Sequence, residues 1–432
     1  MSVSKFSWVF VIASMYHVLA NAASICPTLS SSLNVDQAVN YALCHNPDTQ
    51  QQWQQLRYQQ AAVTISQANN YPTLSLQGSS NYSHSAGQNN NSLGLQARLS
   101  YVLFDFGQRA AQQQQANALL QQAQWNKDSQ IAELSTQVIQ AYLNVLKAQS
   151  QIQVYQDSIK TNQQSLTRAE ARFNTGVGTP LDVLQAKSAL AQAQLSLVKA
   201  HSEVASQRGV LAQLLGVIPT QLPSLITIKT PENTALFSEA ELESWLKTAI
   251  SQRSEIKATK ANLQAAEQAI ISAKTALKPT VSVSANSNWQ QNDSQATNSY
   301  GLGISVDVPF DLSGATQAKI QQSEIQKQQQ ETALQRSEQQ IYSQVWQAFY
   351  QLQAALQTVD AAQQGIDSSQ KAAQMASARY QVGLSTLLDV LTAQNQFTSQ
   401  QQQLVAAQYD ALIARNQLNY VLGQPINLLN TQ

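Results

Sequence analysis

Two aspartates, Asp182 and Asp389, are the residues of this chain best placed for a chemical role, because they occupy equivalent positions in a repeated motif. The motif reads Arg172-Phe-Asn-Thr-Gly-Val-Gly-Thr-Pro-Leu-Asp-Val-Leu184 and returns as Arg379-Tyr-Gln-Val-Gly-Leu-Ser-Thr-Leu-Leu-Asp-Val-Leu391. Each aspartate follows a turn and precedes a helical pattern. A carboxylate in this place can cap the helix and interact favourably with its dipole. Helix capping is therefore the simplest role for both aspartates.

The other reactive side chains do not form a catalytic or metal-binding set. The four histidines lie in unrelated segments without the spacing of metal ligands: His17, His45, His84 and His201. The sequence contains no Gly-x-Ser-x-Gly motif, no P-loop and no paired carboxylates in a plausible catalytic context. We therefore predict that the protein is not an enzyme and requires no cofactor or bound metal.

The first 22 residues are predicted to be a secretory signal peptide. Lys5 precedes an apolar run over 6–19, and Ala-Asn-Ala at 20–22 forms a cleavage site. The alternative, a membrane anchor, is disfavoured because the run is shorter than the ~20 residues that a spanning helix requires. No later segment has the ~18 consecutive apolar residues of a membrane-spanning helix.

The two cysteines, Cys26 and Cys44, follow this signal closely. In an exported protein such a pair predicts a disulfide. The bond would tie an extended N-terminal arm to the first helix and stabilise the fold by about 3 kcal/mol. Two independent buried thiols are the alternative. The spacing is far from Cys-x-x-Cys, which argues against redox catalysis.

The duplication extends far beyond the motif. Pro72-Thr-Leu-Ser-Leu76 corresponds to Pro279-Thr-Val-Ser-Val283 at the same offset as the motif, 207 positions. So long a repeat predicts two copies of one structural unit in a pseudo-symmetric body. We divide the chain into a signal (1–22), a first repeat (23–217) with a β-hairpin at 72–103, a linker or equatorial segment (218–240), and a second repeat (241–432) with a β-hairpin at 279–310.

The composition argues against nucleic-acid binding and against disorder. Charged residues make up 12% of the chain, and 25 Lys and Arg balance 25 Asp and Glu. The chain therefore lacks the basic footprint of a nucleic-acid binder. Its abundant glutamine could indicate a disordered tract. However, the glutamines alternate with Ala and Leu, which are good helix formers, so neutral hydrophilic helices are the favoured interpretation.

Two helical patterns, 107–173 and 315–380, are too long for a compact domain. About 66 residues at 1.5 Å rise would extend roughly 100 Å. Shorter helices are predicted over 34–69 and 254–277, and two more follow the turns at 174–180 and 381–386, ending near Gly216 and Gly423.

The helix after the first turn carries a heptad pattern of large and small residues. Its large members are Val183, Leu190, Leu197, Val204 and Leu211, and its small members are Ala186, Ala193 and Ala200. Such a pattern predicts closely packed helices with a left-handed supercoil. An ordinary antiparallel helical hairpin describes the same residues.

Alternating sequences at 93–103 and 300–310 predict β-strands with one apolar and one polar face. In the second run Tyr300, Leu302, Ile304, Val306, Val308 and Phe310 alternate with Gly301, Gly303, Ser305 and Asp307. Such alternation over ~10 residues is typical of a transmembrane barrel strand with a polar inner face. A half-buried hairpin on a soluble core is the alternative. The polar segment 83–92 is predicted to be a turn between strands.

Two hairpins supply four strands, which are too few to close a barrel. A sheet in lipid has to close, because open edges would leave backbone groups unsatisfied. Several chains must therefore contribute, and three copies would give twelve strands. We predict an α+β membrane protein, a homotrimer whose 12-stranded β-barrel is continuous with a long α-helical coiled-coil tunnel.

Taken together, these residues resemble the TolC family of outer-membrane efflux proteins. The resemblance rests on the order of the repeated motif, Ala141-Tyr-Leu-Asn-Val145, Leu103-Phe-Asp-Phe-Gly107 and Ala42-Leu-Cys-His-Asn-Pro47. It implies a homotrimer in the outer membrane of a Gram-negative bacterium, with a large periplasmic portion. The partners it implies are outer-membrane lipid, a periplasmic adaptor (membrane fusion protein), and an inner-membrane RND pump or ABC exporter.

The resemblance also implies a gate at the periplasmic tip. Asp389 corresponds to an aspartate that rings the aperture, where three carboxylates could bind a divalent cation and block the pore. Asp182 and Tyr380 correspond to residues that latch the closed state by a hydrogen bond. Ser385 stands at the position of a latch arginine in the family's best-known pattern, and Thr392 replaces a second acidic residue, which implies a weaker gate.

The turns at the ends of the helical hairpins correspond to the rim that the adaptor contacts, and their glycines are Gly176, Gly178 and Gly383. We therefore predict an outer-membrane exit channel that passively conducts drugs, other small molecules or proteins from an adaptor–pump complex to the exterior. Drug efflux and type I protein secretion both fit the sequence. The alternative function is that of a non-conducting trimeric coiled-coil structural protein of the periplasm or cell surface.

Overall fold

The computed structural model describes residues 26–85, 88–228, 239–292 and 295–424. The predicted signal peptide and part of the predicted linker, 229–238, lie outside these residues. The elements of the first half are β1 (Ser32–Leu33), α1 (Val35–His45), α2 (Pro47–Ala68), β2 (Thr73–Ser85), β3 (Gln88–Phe104), α3 (Gln108–Asn174) and α4 (Pro180–Leu215).

A short 3₁₀ turn, Pro219–Gln221, leads into the second half of the chain. Its elements are β4 (Ser224–Leu225), α5 (Glu239–Gln252), α6 (Ser254–Thr275), β5 (Thr280–Asn292), β6 (Gln295–Asp307), α7 (Ala315–Gln381) and α8 (Leu387–Val421). The two halves repeat at one offset, because α2 and α6 begin at 47 and 254, and α3 and α7 begin at 108 and 315.

The long helices agree with the sequence prediction to within a residue at each end. α3 and α7 contain 67 residues each, so each extends about 100 Å. The alanines of the heptad pattern in α4 are buried, and Ala186 has no exposed surface. Small residues at these positions allow α3 and α4 to pack closely. Among the described helices, none combines the length and hydrophobicity needed to cross a membrane.

The prediction of one helix over 34–69 is wrong, because the chain breaks it at Asn46 into α1 and α2. Asn46 has an extended backbone, and its side chain caps α2 by accepting a hydrogen bond from the amide of Asp48 at 2.8 Å. Pro47 favours this break, since the residue before a proline avoids helical conformation and proline suits the first helical position. The Asn46 side-chain amide also donates to the Leu214 carbonyl at 3.0 Å.

The four long strands form one antiparallel sheet in the order β2-β3-β5-β6. β2 continues to Ser85 and β3 begins at Gln88, so most of the segment 83–92, which was predicted to be a turn, is strand. Its polar side chains do not prevent pairing, because the ladder is made by backbone groups. β6 ends at Asp307 rather than at Phe310, as Pro309 cannot donate to a ladder.

The sheet has one apolar and one polar face. Residues paired across strands point to the same side, and the pairs Leu74 with Leu99 and Val283 with Ile304 lie on the apolar face. The apolar side chains are exposed in the single chain, most of all Leu302 at 82%. The opposite face carries mainly serine, asparagine, glutamine and glycine, together with Arg98.

Two hydrophobic cores stabilise the middle of the chain, and equivalent residues of the two repeats build them. Tyr142 of the first core and Phe349 of the second are both buried. The Tyr142 hydroxyl lies 2.8 Å from the Leu33 carbonyl oxygen and 2.7 Å from that of Ile226. It thereby supports the small parallel sheet of β1 and β4, and burial raises the pKa of Tyr142 to about 12.

A disulfide joins Cys26 to Cys44, across a sequence separation of 18. Cys44 lies in the last turn of α1, so the bond fixes the N-terminal arm to this helix. Within the described residues the arm continues directly into β1, which pairs with β4. The disulfide therefore supports the attachment of the arm to the first core.

Replacing both cysteines with serine is expected to increase local opening of the arm and α1. Closing a loop of this length is worth about 3 kcal/mol, which corresponds to about a 100-fold change in an opening equilibrium. Hydrogen–deuterium exchange of peptides covering 26–45 measures this change. Reductant should accelerate exchange in the native chain and leave the serine variant unaffected. Equal exchange in the two proteins would contradict a stabilising role.

Candidate gate at the helical tip

The two helical hairpins end together at one end of the chain. A buried cluster joins all four of their helices: Leu166, Ala169, Ala186, Tyr380, Leu387, Val390 and Leu391. We call this end, residues 166–186 and 376–391, the helical tip. The predicted gate residues Asp182, Tyr380 and Asp389 lie in it, together with the glycines of both turns.

Both turns of the helical tip use glycine in a left-handed conformation. Gly176 has a φ of 81° and Gly383 a φ of 77°, which glycine adopts without the strain of a Cβ. The residue after each glycine closes the turn through its backbone amide. Val177 donates to the Arg172 carbonyl at 3.0 Å, and Leu384 donates to the Arg379 carbonyl at 2.8 Å. A Cβ on Gly178 would lie 2.8 Å from the backbone nitrogen of Phe173, at the end of α3. The first turn therefore excludes a side chain there.

Asp182 and Asp389 both cap helices. In α4 the Asp182 amide donates to Thr179 Oγ1 at 3.1 Å, and the Thr179 amide donates to Asp182 Oδ2 at 3.2 Å. In α8 the Asp389 amide donates to Thr386 Oγ1 at 3.2 Å, and the Thr386 amide donates to Asp389 Oδ2 at 2.9 Å. Each pair is a reciprocal capping box.

Asp389 is also exposed and charged. The backbone and side-chain hydrogen bonds from Thr386 lower the pKa of Asp389, and the nearby Arg379 acts in the same direction. The carboxylate is therefore held ionised at the solvent-facing start of α8. Capping uses Oδ2, so it leaves Oδ1 available to a cation.

Tyr380 connects the two hairpins through Arg172. The Arg172 guanidinium lies over the buried Tyr380 ring, 5.0 Å from its centroid, and Nη1 donates to the Tyr380 carbonyl at 3.2 Å. The Tyr380 hydroxyl is buried and has no hydrogen-bond partner among the described residues. Burial raises the pKa of Tyr380, the charge of Asp182 adds to this effect, and Arg172 opposes it.

The hydrogen bond between Asp182 and Tyr380 that the resemblance implies is not formed within this chain. The two residues are close enough for the carboxylate to influence the tyrosine, but Asp182 Oδ2 accepts from Thr179 instead. Arg172 makes the contact between the hairpins, a role that is not predicted from the sequence. Arginine at the first position of both motif copies was the available signal. Within the described residues its counterpart Arg379 stays with its own hairpin, where it lies 3.5 Å from the Leu384 carbonyl and acts on the charge of Asp389.

Two more polar contacts join the hairpins beside Arg172. Arg168 Nη1 donates to Ser377 Oγ at 2.9 Å. Just beyond the helical tip, Ser165 Oγ donates to Gln394 Oε1 at 3.2 Å, and both side chains are buried. A few specific hydrogen bonds over a small apolar cluster therefore hold the hairpins together. In the part of the chain that the structure describes, no group of His, Cys, Asp and Glu side chains could hold a metal ion.

The sequence profile of the outer membrane efflux protein family matches residues 38–217 and again 245–424. The two matches start at 38 and 245 and end at 217 and 424, which is the same offset as that of the helices and strands. The chain therefore belongs to the outer membrane efflux protein family.

Individual relatives agree with this assignment. Protein CyaE of Bordetella pertussis is 27% identical over 302 residues, covering 67% of this chain and 63% of CyaE, so the match spans just under two thirds of that relative. The cation efflux system protein CusC of Escherichia coli K12 is 24% identical over 402 residues, covering 90% of this chain and 86% of CusC. The solved outer membrane protein VceC of Vibrio cholerae shares the fold with a TM-score of 0.78, at 22% identity over 91% of this chain and 97% of VceC.

Membership confirms the resemblance to outer-membrane efflux proteins. The protein is located in the outer membrane of a Gram-negative bacterium, with a large periplasmic portion. Proteins of this family are channels and not enzymes.

Proposed function

We propose that the protein is the exit duct of a tripartite efflux or type I secretion system. Three copies would form a twelve-stranded barrel across the outer membrane and a helical tunnel below it. The observation that carries this proposal is a four-stranded sheet with one apolar face, attached directly to helices of 67 residues.

The faces and edges of the sheet support assembly into a barrel. An apolar outer face meets lipid in transmembrane barrels, while the polar face lines the lumen. Only one side of β2 and one side of β6 are paired in the described chain, and a hydrocarbon environment does not tolerate unpaired edges. β6 of one copy could pair with β2 of the next and keep the antiparallel order. Three copies then give twelve strands.

The connections between strands and helices support a continuous duct. Only 105–107 separate β3 from α3, and Asp105 braces this link by accepting from the Gly107 amide at 3.2 Å and from Arg109 Nε at 2.7 Å. Asp311 braces the second link by accepting from the Thr316 amide at 2.9 Å. Short, hydrogen-bonded links transmit the closure of a barrel to the helices, so these would form a tunnel.

The helical tip would serve as gate and docking rim. Around a threefold axis, three exposed Asp389 carboxylates could form a ring that attracts cations. The turn glycines Gly176, Gly178 and Gly383 lie at the end of the tip, where an adaptor could contact them. The sequence has no P-loop, so an inner-membrane RND pump or ABC exporter would supply the energy through the adaptor. The pump would then select the cargo, whether small molecules or proteins.

Conductance of the purified trimer in a planar bilayer tests the duct and its gate. We expect a small steady conductance that millimolar divalent cation blocks from the side of the helical tip. Asp389→Asn should relieve the block, because it removes the charge but keeps a side-chain oxygen for the cap. Asp360→Ala, at an exposed aspartate of α7, is the matched control and should stay blocked. Equal block in the native chain and Asp389→Asn would contradict the ring.

A further inference from the structure

Formal charge is almost absent from the four long strands. Their sequences contain only Arg98 in β3 and Asp307 at the end of β6, besides His84 in β2. Arg98 lies well inside the sheet, whereas Asp307 is the last strand residue on the side of the helices. An arginine inside a membrane-spanning sheet is costly unless it faces water.

The strand register places Arg98 on the polar face. Arg98 pairs with Ser75 on one side and Asn286 on the other, and Asn286 pairs in turn with Gly301. The next residue along β3, Leu99, pairs with Leu74 and Ala285 on the apolar face. The two residues therefore point to opposite sides of the sheet, and the Arg98 side chain points to the side of the lumen.

The surroundings of Arg98 leave its guanidinium exposed and without a partner of opposite charge among the described residues. The polar face beside it carries Gly94, Gly301 and Gly303. A Cβ on Gly303 would meet nothing closer than 4.0 Å, whereas the neutral side chains of Ser79 and Asn286 lie over Gly94 and Gly301. Arg98 is exposed, and within the described residues it has no salt bridge. The neighbouring residues of this wall are neutral, so they supply no counter-charge to the exposed arginine.

We infer that three Arg98 side chains form a ring of positive charge in the barrel lumen and make this part of the duct favour anions. The inference rests on the proposed trimeric barrel. It assigns to the barrel a selectivity opposite to that of the Asp389 ring, which would lie at the far end of helices about 100 Å long. Small anionic cargo would be attracted at the exit.

The size of the barrel makes this ring effective at low salt. Twelve strands about 4.8 Å apart and tilted by ~40° give a backbone diameter of roughly 25 Å. The side chains narrow the lumen further, so ions pass within about 10 Å of the guanidinium groups, a distance comparable to the Debye length at 0.1 M salt. Asp307 lies six positions beyond Gly301, roughly 20 Å along β6, and is too far to cancel the ring.

Reversal potentials in a KCl gradient test the inference on the full-length trimer in a planar bilayer. We expect Arg98→Gln to raise the permeability ratio of K⁺ to Cl⁻ about three- to fivefold near 0.1 M salt. Near 1 M salt, where the Debye length is ~3 Å, the difference should nearly vanish. Arg98→Lys keeps the charge and is the matched control, so its ratio should remain close to that of the native chain.

The outcomes separate this inference from the proposed duct. Normal conductance with an unchanged permeability ratio in Arg98→Gln would overturn the selectivity ring and leave the duct intact. A difference that persists unchanged at 1 M salt would also overturn it, because screening must weaken an electrostatic effect. If neither the native trimer nor the Arg172→Ala variant, whose tip should be loosened, conducts ions, the result would instead contradict the duct itself.

Discussion

Arg172→Ala is expected to raise the conductance of the purified trimer about tenfold or more, because it removes a charged contact that joins the two helical hairpins at the helical tip. The guanidinium donates a hydrogen bond to the Tyr380 carbonyl and lies over the Tyr380 ring. A hydrogen bond from a charged group is worth about 1.5–3 kcal/mol, and a cation–π contact adds about 0.5–1 kcal/mol. Loss of about 2 kcal/mol in each chain would shift a closed tip strongly toward open states.

Arg379→Ala is the matched control for this experiment. Arg379 holds the equivalent position in the second motif, but within the described residues its guanidinium approaches the Leu384 carbonyl and the charge of Asp389, both in its own hairpin. Its removal should therefore change the conductance little. Equal conductance of Arg172→Ala and the native trimer, with both proteins folded, would show that the contact does not hold the gate closed.

Tyr380→Phe, combined with Asp182→Ala, tests the latch that the family resemblance implies. The Tyr380 hydroxyl has no partner within the described chain, so its removal costs nothing there. A rise in conductance in the double variant would indicate that the hydroxyl and the carboxylate act between copies in the trimer. An unchanged conductance would show that Asp182 caps α4 with Thr179 and does not act as a latch.

The sequence predicted the large features of the fold because they depend on periodicity. The 3.6-residue pattern continues without proline through α3 and α7, and the two-residue alternation marks the apolar face of β3 and β6. The break at Asn46 was missed although its signal was present, since an asparagine followed by proline is a typical helix start. α5 was missed too, although it is the counterpart of α1 at the offset of the repeat.

The candidate gate was only partly predictable. The capping roles of Asp182 and Asp389 follow from a threonine three residues before each, a spacing that suits a capping box. The contact of Arg172 with Tyr380 joins residues 208 positions apart, and it depends on how α3 packs against α7 and α8. Local pattern carries no information on such packing, so only the structure shows that Arg172 links the hairpins.

Ile304→Lys is expected to abolish the stable trimer and its accumulation in the outer membrane. Ile304 is 72% exposed on the apolar face of the sheet, which would meet lipid in the proposed barrel. A lysine on the lipid face near the membrane midplane costs about 2–4 kcal/mol, and the trimer would carry this cost three times. Heat-modifiable, SDS-resistant trimers in outer-membrane fractions measure the effect directly.

Ser305→Lys is the matched control, because it introduces the same side chain at the adjacent residue on the opposite face. Ser305 lies on the polar face, with its Oγ 2.8 Å from Ser282 Oγ, and a lysine there could extend into water. Its trimer should remain near the native level, apart from the loss of one exposed hydrogen bond worth about 1 kcal/mol. Equal loss of trimer in both variants would indicate that β6 does not separate lipid from lumen. The contrast between two neighbouring residues thus tests the orientation of the sheet, on which the barrel, the lumen and the position of Arg98 all depend.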